Sequence, residues 1–395
     1  MTLQLSPLPM PFSDFPQRTL PQITLNGLSS IISLVYLTVH PNVTLSSSSA
    51  DSKAENEISV PTTWIARVGR RGVGPKFRLF LVALVAPEVI LGFAIRQHSM
   101  VSWWMQEHSL PRSTAWFLVM GGFVNEDGRA ILTQSAAIRY MDAIKRVDPR
   151  TIRDKSKRAG LAILFVGGQV LWFSVQCIAR ASEGMPFAEL EVAAVAFLAV
   201  QLCTVIVWSK KPKDVAEPIT LVCDTLPTCE RPVPHTRSTG DILGHFLTAV
   251  IFGVYKHPQS LQEAPLFWSH AHNEPSGNTL GALFWQFIMA LVFGGIHALA
   301  WTTSFPSAVE MWLCRGSVIF LLVLPVVGLV LAVIYSLLGN GRVRTTLVTI
   351  NHGAAVIYVA VRVVLLVLPF TTLRGLPPGA FLQSNTVVLQ LLPHF

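Results

Sequence analysis

VIYVAVRVVLLVLPF, residues Val356–Phe370, places Arg362 in the middle of fifteen residues that are otherwise almost wholly apolar. A continuous apolar run of this kind reads as a buried helix. Extended through Ala354 it reaches seventeen residues, the lower end of what crosses about 30 Å of hydrocarbon at about 1.5 Å per residue. An arginine at the centre of such a helix costs about 2.5–3.5 kcal/mol on insertion scales, so it persists where a partner or a cavity receives it. The stretch therefore poses two questions: how many similar helices the chain has, and which of them answers Arg362.

The composition agrees with a membrane setting. Of 395 residues 51% are apolar and only 13% charged, with a mean hydropathy of +0.51, against about 25% charged in soluble proteins. The formal net charge of +8 comes without an aromatic-interleaved basic patch or a nucleic-acid fold signature, so nucleic acid is not an expected partner and the lipid bilayer is. Six segments have spanning length: Leu79–Ile95, Leu161–Ala179, Val192–Trp208, Leu280–Trp301, Ser317–Leu338 and Ala354–Phe370. A seventh, Leu20–Val39, is weaker because Pro21, Asn26 and serines interrupt it; it reads as a signal anchor in preference to a cleaved signal peptide, since no small-residue cleavage site follows closely. The expected fold is an all-α, multi-pass transmembrane helical bundle of about seven spans.

The organisation follows from those segments. Residues 1–19 form a disordered N-terminus, 20–208 a first membrane region of four spans with a cytosolic amphipathic loop, 209–279 a cytosolic Pro-rich linker, 280–370 a second membrane region of three spans, and 371–395 a tail. In the first loop Ala115–Val124 is too short to cross and reads as an interfacial or re-entrant piece. Ile131, Ala137, Ile138, Met141 and Ile144 share a helical arc that fits either a helix lying on an anionic leaflet or one packed on its own protein. In the linker, residues 241–256 read as an interfacial helix. Seven spans put about twice as many Lys and Arg on the side of the N-terminus as on the other, which predicts a cytosolic N-terminus and a lumenal or extracellular C-terminus. The sequon Asn42-Val43-Thr44 then falls on the non-cytosolic side, making Asn42 an N-glycosylation candidate.

Within the spans, Glu88 lies at nearly the same depth as Arg362, and the two are the natural ion pair; a structural clamp is the plainer role and a transport or proton site the sharper one. Pro87 beside Glu88 and Pro325 further on are expected to kink their helices. Gln169, Trp172, Gln176 and Arg180 fall on one face of the third span, a polar stripe suited to interhelical hydrogen bonds or to lining a pathway. His297 in FGGIHALAW reads first as a histidine bonded within the bundle. His270, His272 and Glu274 in SHAHNE are ligand-type residues at alternating positions without a second cluster, so no metal or other cofactor is expected. The five cysteines read as free thiols. P-loop, G-x-S-x-G, H-E-x-x-H and H-x-E with P-C-x-x-C signatures are absent from the sequence; an enzyme is the less favoured reading.

Several short stretches occur in a telling order: APE at Ala86–Glu88, MGGF at Met120–Phe123, DKSK at Asp154–Lys157, WFSVQCIAR at Trp172–Arg180, W-x-KKPKDV at Trp208–Val215, FGGIHALAW at Phe293–Trp301, FPS at Phe305–Ser307, Arg362, LPPGAF at Leu376–Phe381 and a terminal LPHF. Together they resemble a group of uncharacterised multi-pass membrane proteins of filamentous fungi, over roughly residues 39–395. The resemblance implies membrane class and origin and brings no activity to any residue. The leading functional expectation is transport or sensing through a polar site at the bundle centre, in the plasma membrane or an endomembrane. The alternatives are a lipid-acting membrane enzyme using His297 or the His270 cluster, and a scaffold using its cytosolic loops.

Overall fold

A computed structural model describes residues 17–43, 74–156, 160–215, 217–222, 250, 254–255, 264–271, 279–337 and 342–383. The sequon's Thr44, the 241–256 candidate apart from Val250, Val254 and Tyr255, and His272 and Glu274 lie outside the described residues. So do Cys223 and Cys229; Cys177, Cys203 and Cys314 are free thiols.

The described chain is helical almost throughout. Its helices are α1 (Leu20–Thr38), α2 (Pro75–Val85), α3 (Pro87–His108), α4 (Arg112–Val119), α5 (Gln134–Arg139), α6 (Met141–Arg146), α7 (Pro149–Lys155), α8 (Gly160–Ser182), α9 (Glu189–Val207), α10 (Thr279–His297), α11 (Ala308–Leu337) and α12 (Arg342–Thr372). Two short parallel pairs complete it: β1 (Phe123–Val124) with β2 (Ile219–Thr220), and β3 (Val254–Tyr255) with β4 (His270–Ala271). Six segments, in α1, α8, α9, α10, α11 and α12, are long and apolar enough to cross a membrane. The weakest of the expected spans is thus a full helix: Thr19 caps α1 and Gln22 closes a capping box, two local signals that compensate for Pro21 at its start.

These six helices alternate in direction, so the bundle has two ends. At one end the start of α1, the α8–α9 turn, the start of α11 and the segment after α12 are tied together. Arg18 forks onto the Glu191 carboxylate and donates from Nε to the Ala380 carbonyl at 2.9 Å. Arg180 donates to the Leu382 and Pro186 carbonyls, and Arg374 reaches Glu310 at 2.7 Å. The two outer parts of the described chain therefore meet at one end of the bundle.

The candidate span without a single helix of spanning length is Leu79–Ile95, the one strong sequence candidate that is not a continuous helix. α2 stops at Ala86, whose backbone (φ −143°, ψ 72°) leaves the helical region, and Pro87 opens α3 at its first position. Proline there loses no helical hydrogen bond because that N–H has no acceptor in any case; Pro87 starts a new helix instead of kinking an old one. Pro325, by contrast, lies inside the unbroken α11.

Both arms of this helix pair lead to the same end of the bundle. Lys76, at the start of α2, bonds Asp214 at 3.1 Å and lies 4.6 Å over the Tyr36 ring near the end of α1. Gln97, in the middle of α3, accepts from Lys211 at 2.9 Å and donates to Asn42 at 2.8 Å. Tyr36 is in the last turn of α1, Asn42 follows that helix, and Lys211 and Asp214 follow the C-terminus of α9. Residues 75–108 thus form a hairpin that enters from this end, turns at Ala86–Pro87 and returns.

Between the hairpin and α8 lies a compact layer at the same end. Ala115–Val124, expected at an interface, is buried throughout: α4 packs under α3, and Gly121 (φ +74°) turns the chain into β1 with Ala264 so close that a Cβ would meet it at 2.4 Å. Of the amphipathic arc, Ile131, Ala137, Met141 and Ile144 are buried in the main core and Ile138 is exposed. That face packs on its own protein, and it is carried by two short helices instead of one.

Candidate functional site

The hairpin tip delivers Glu88 to Arg362. Glu88 is the second residue of α3, so its carboxylate sits at the positive end of that helix as well as against the guanidinium. Arg362 Nη2 donates to Glu88 Oε2, and Nε donates to the Tyr358 hydroxyl at 2.7 Å, one helical turn back. The guanidinium also lies 3.7 Å from the centre of the Phe293 ring, a cation–π contact that strengthens as water is excluded. Both Glu88 and Arg362 are 2% exposed, and Arg362 is near the middle of the apolar segment Gly353–Gly375. A buried charge at this place is tolerated because a carboxylate, a hydroxyl and a ring face all answer it.

Close packing keeps the tip in place. Gly92, one turn beyond Glu88, faces Gln286 of α10, whose Oε1 would lie 2.1 Å from an added Cβ; any larger residue there would have to displace the Gln286 side chain. Phe93 then sets its ring edge-on to Phe267 and Trp208, at 5.4 and 5.5 Å. His297 stacks on Phe293 at 4.5 Å, and its Nδ1 lies 2.9 Å from the Phe293 carbonyl oxygen. It borders the pair through that ring and is bonded within its own helix.

The polar stripe of α8 divides. Gln169 donates to Ser29 at 2.6 Å and accepts from Ser33 at 3.2 Å, fastening α8 to α1. Trp172 and Gln176 are half-buried. Arg180 belongs to the carbonyl-lined latch at the far end. None of these side chains joins Glu88 and Arg362.

Another buried cation, Lys211, went unread in the sequence. Lys211, 2% exposed, donates to the His40 carbonyl at 2.6 Å and to Gln97 Oε1 at 2.9 Å, and lies 4.3 Å over the Trp208 ring. With no carboxylate against it among the described residues, burial pushes its pKa well below the ordinary lysine range. His40 beside it is pushed down to about 3, by burial first and then by Lys213, Lys211 and Lys76. Asn42 belongs to the same network: its Nδ2 donates to the Pro265 carbonyl at 2.8 Å, its Oδ1 accepts from Gln97, and it is 5% exposed. An amide committed on both atoms inside the protein leaves no room for a glycan in this fold. The sequence signal was the tryptophan three residues before Lys211 in WSKK, a ring that could cover an ammonium, in a stretch otherwise read as solvated linker.

Residues 94–228 match a family of unknown function (DUF8562). The match takes in most of α3, the layer of short helices, α8, α9 and, of the Lys211 network, Gln97, Trp208 and Lys211; it excludes His40 and Asn42 and both Glu88 and Arg362. Neither curated proteins nor solved structures yield a match.

Proposed function

We propose that this chain is a polytopic integral membrane protein, crossing six times and holding one re-entrant hairpin, that transports or senses a small solute through the charged site at the hairpin tip. One observation carries the reading: a helix broken at Ala86–Pro87 ends inside the bundle with an ionisable carboxyl in its first turn, opposite a guanidinium on a spanning helix. Broken helices whose ends meet charge near the bilayer centre are how membrane proteins build solute sites, because irregular backbone in hydrocarbon is tolerated only inside protein or along a cavity. A small displacement of the tip would expose both charges together.

Six crossings also revise the expected orientation. The hairpin end bears Lys145, Arg146, Arg150, Arg153 and Lys155 before α8, Lys210, Lys211 and Lys213 after α9, and Arg342 and Arg344 opening α12, whereas the opposite end has Arg18, Arg180, Arg315 and Arg374. The basic end is assigned to the cytosol and the start of α1 to the other side. Asn42 then faces the side where glycosylation does not occur, in accord with its burial.

A static clamp is the rival reading, favoured by the complete burial of both charges. The double variant E88L/R362L separates the two, since an apolar pair of similar volume is often neutral or stabilising where a buried ion pair was. In proteoliposomes under proton and potassium gradients read by entrapped dyes, the proposal expects wild-type flux and a stable but silent double variant. A double variant that conducts like wild type overturns it in favour of the clamp.

A further inference from the structure

On the basic end, a cleft of about 300 Å3 opens between α3, α4 and the end of α9. His98, Arg112, Lys210 and Ser209 line it, all exposed, with the buried Trp116 beneath. No carboxylate is among its lining residues, although Glu107 lies on the same helix. Arginine and lysine converge here from different elements, with a hydroxyl and an imidazole between them, a donor set suited to phosphate oxygens.

The cleft's other wall is apolar and open. Ile206 and Val207 close it on the α9 side, and Ile206 continues outward into Val205 and Leu202, which are 64%, 39% and 54% exposed. A cationic pocket at the end of a spanning-length helix, continuous with an exposed aliphatic strip along that helix, matches a molecule with an anionic head and hydrocarbon tails. We propose that this cleft binds the headgroup of an anionic phospholipid from the leaflet at the basic end, with an acyl chain along Ile206 and Leu202. The inference rests on the membrane reading above, and it is independent of what happens at Glu88.

Native mass spectrometry of the detergent-solubilised full chain tests it, using phosphatidylserine, phosphatidylcholine and inorganic phosphate as separate probes. The expected result is a one-lipid adduct with phosphatidylserine that the R112Q/K210Q variant weakens about thirty-fold, about 1 kcal/mol for each lost cation, and that phosphatidylcholine does not displace. Equal retention by the variant, or equal binding of phosphatidylcholine, overturns the site. Variant-sensitive binding of inorganic phosphate without a phosphatidylserine adduct overturns the lipid as its source. Both proteins should elute as the same single species, so that lost binding is not lost folding. Failure of the membrane reading has a different signature, release of the chain from membranes by alkaline carbonate.

Discussion

Arg362 and Lys211 are both buried cations, and the chain answers them in opposite ways. Arg362 lies among spanning helices and meets a carboxylate brought to it by a helix break. Lys211 lies at the basic end and meets a carbonyl, an amide oxygen and the ring faces of Trp208 and Phe93. The first arrangement holds two charges that depend on each other. In the second, burial disfavours the charged form of Lys211, and burial, with the neighbouring lysines adding to it, disfavours the charged form of His40. Removing one member of the first therefore strands a charge, while removing the second leaves only hydrogen-bond acceptors unmet.

Mutation can break this contrast. Glu88→Gln or Arg362→Leu should each destabilise by about 3–5 kcal/mol, because one uncompensated charge stays buried; thermal unfolding in detergent would show it, with E88L/R362L recovering most of the loss. Next in size is an acid effect at His40. Its folded pKa of about 3 lies below the ordinary 6.5, so as pH falls through that window the unfolded chain takes up a proton that the folded chain refuses. Stability is complete above 6.5 and declines below it by about 1.4 kcal/mol per pH unit at most. A His40→Phe variant should show a shallower fall in Tm between pH 6.5 and 4.5.

Lys211→Met is expected to cost less, about 1–2 kcal/mol, since it orphans the His40 carbonyl and Gln97 Oε1 but removes the desolvated amine as well. A loss as large as that of Arg362→Leu would mean that Lys211 is charged in the folded protein. Smallest is Lys76→Ala, under about 1 kcal/mol, because its pair with Asp214 is partly exposed to solvent.

The sequence exposed the helical class, six of the crossing segments and the two residues that meet at the centre, because apolar length and a misplaced charge are local signals. What it hid was the path between them. Leu79–Ile95 has the length and hydropathy of a span, and only the backbone at Ala86 shows that the chain turns back. In the six-crossing reading proposed above, that one turn changes the parity of crossings and moves the start of α1 and the residues between α1 and α2 to the opposite side. Lys211 and Asn42 were hidden for a related reason: their burial comes from contacts with residues far away in sequence, Gln97 and Trp268 among them, which no local pattern records. Arg180 read as a stripe residue because its partners, the carbonyls of Pro186 and Leu382, carry no sequence signature at all.

Sidedness of the hairpin tests the architecture most directly. Single cysteines placed at the exposed positions Gly74, Ser109 and Ser182 can be labelled in sealed, oriented vesicles with a membrane-impermeant maleimide, against the parent protein as background. Residues 74 and 109, at the two feet of the hairpin, should react from one side and residue 182 from the other. Labelling of 74 and 109 from opposite sides would make residues 75–108 a crossing and contradict the account.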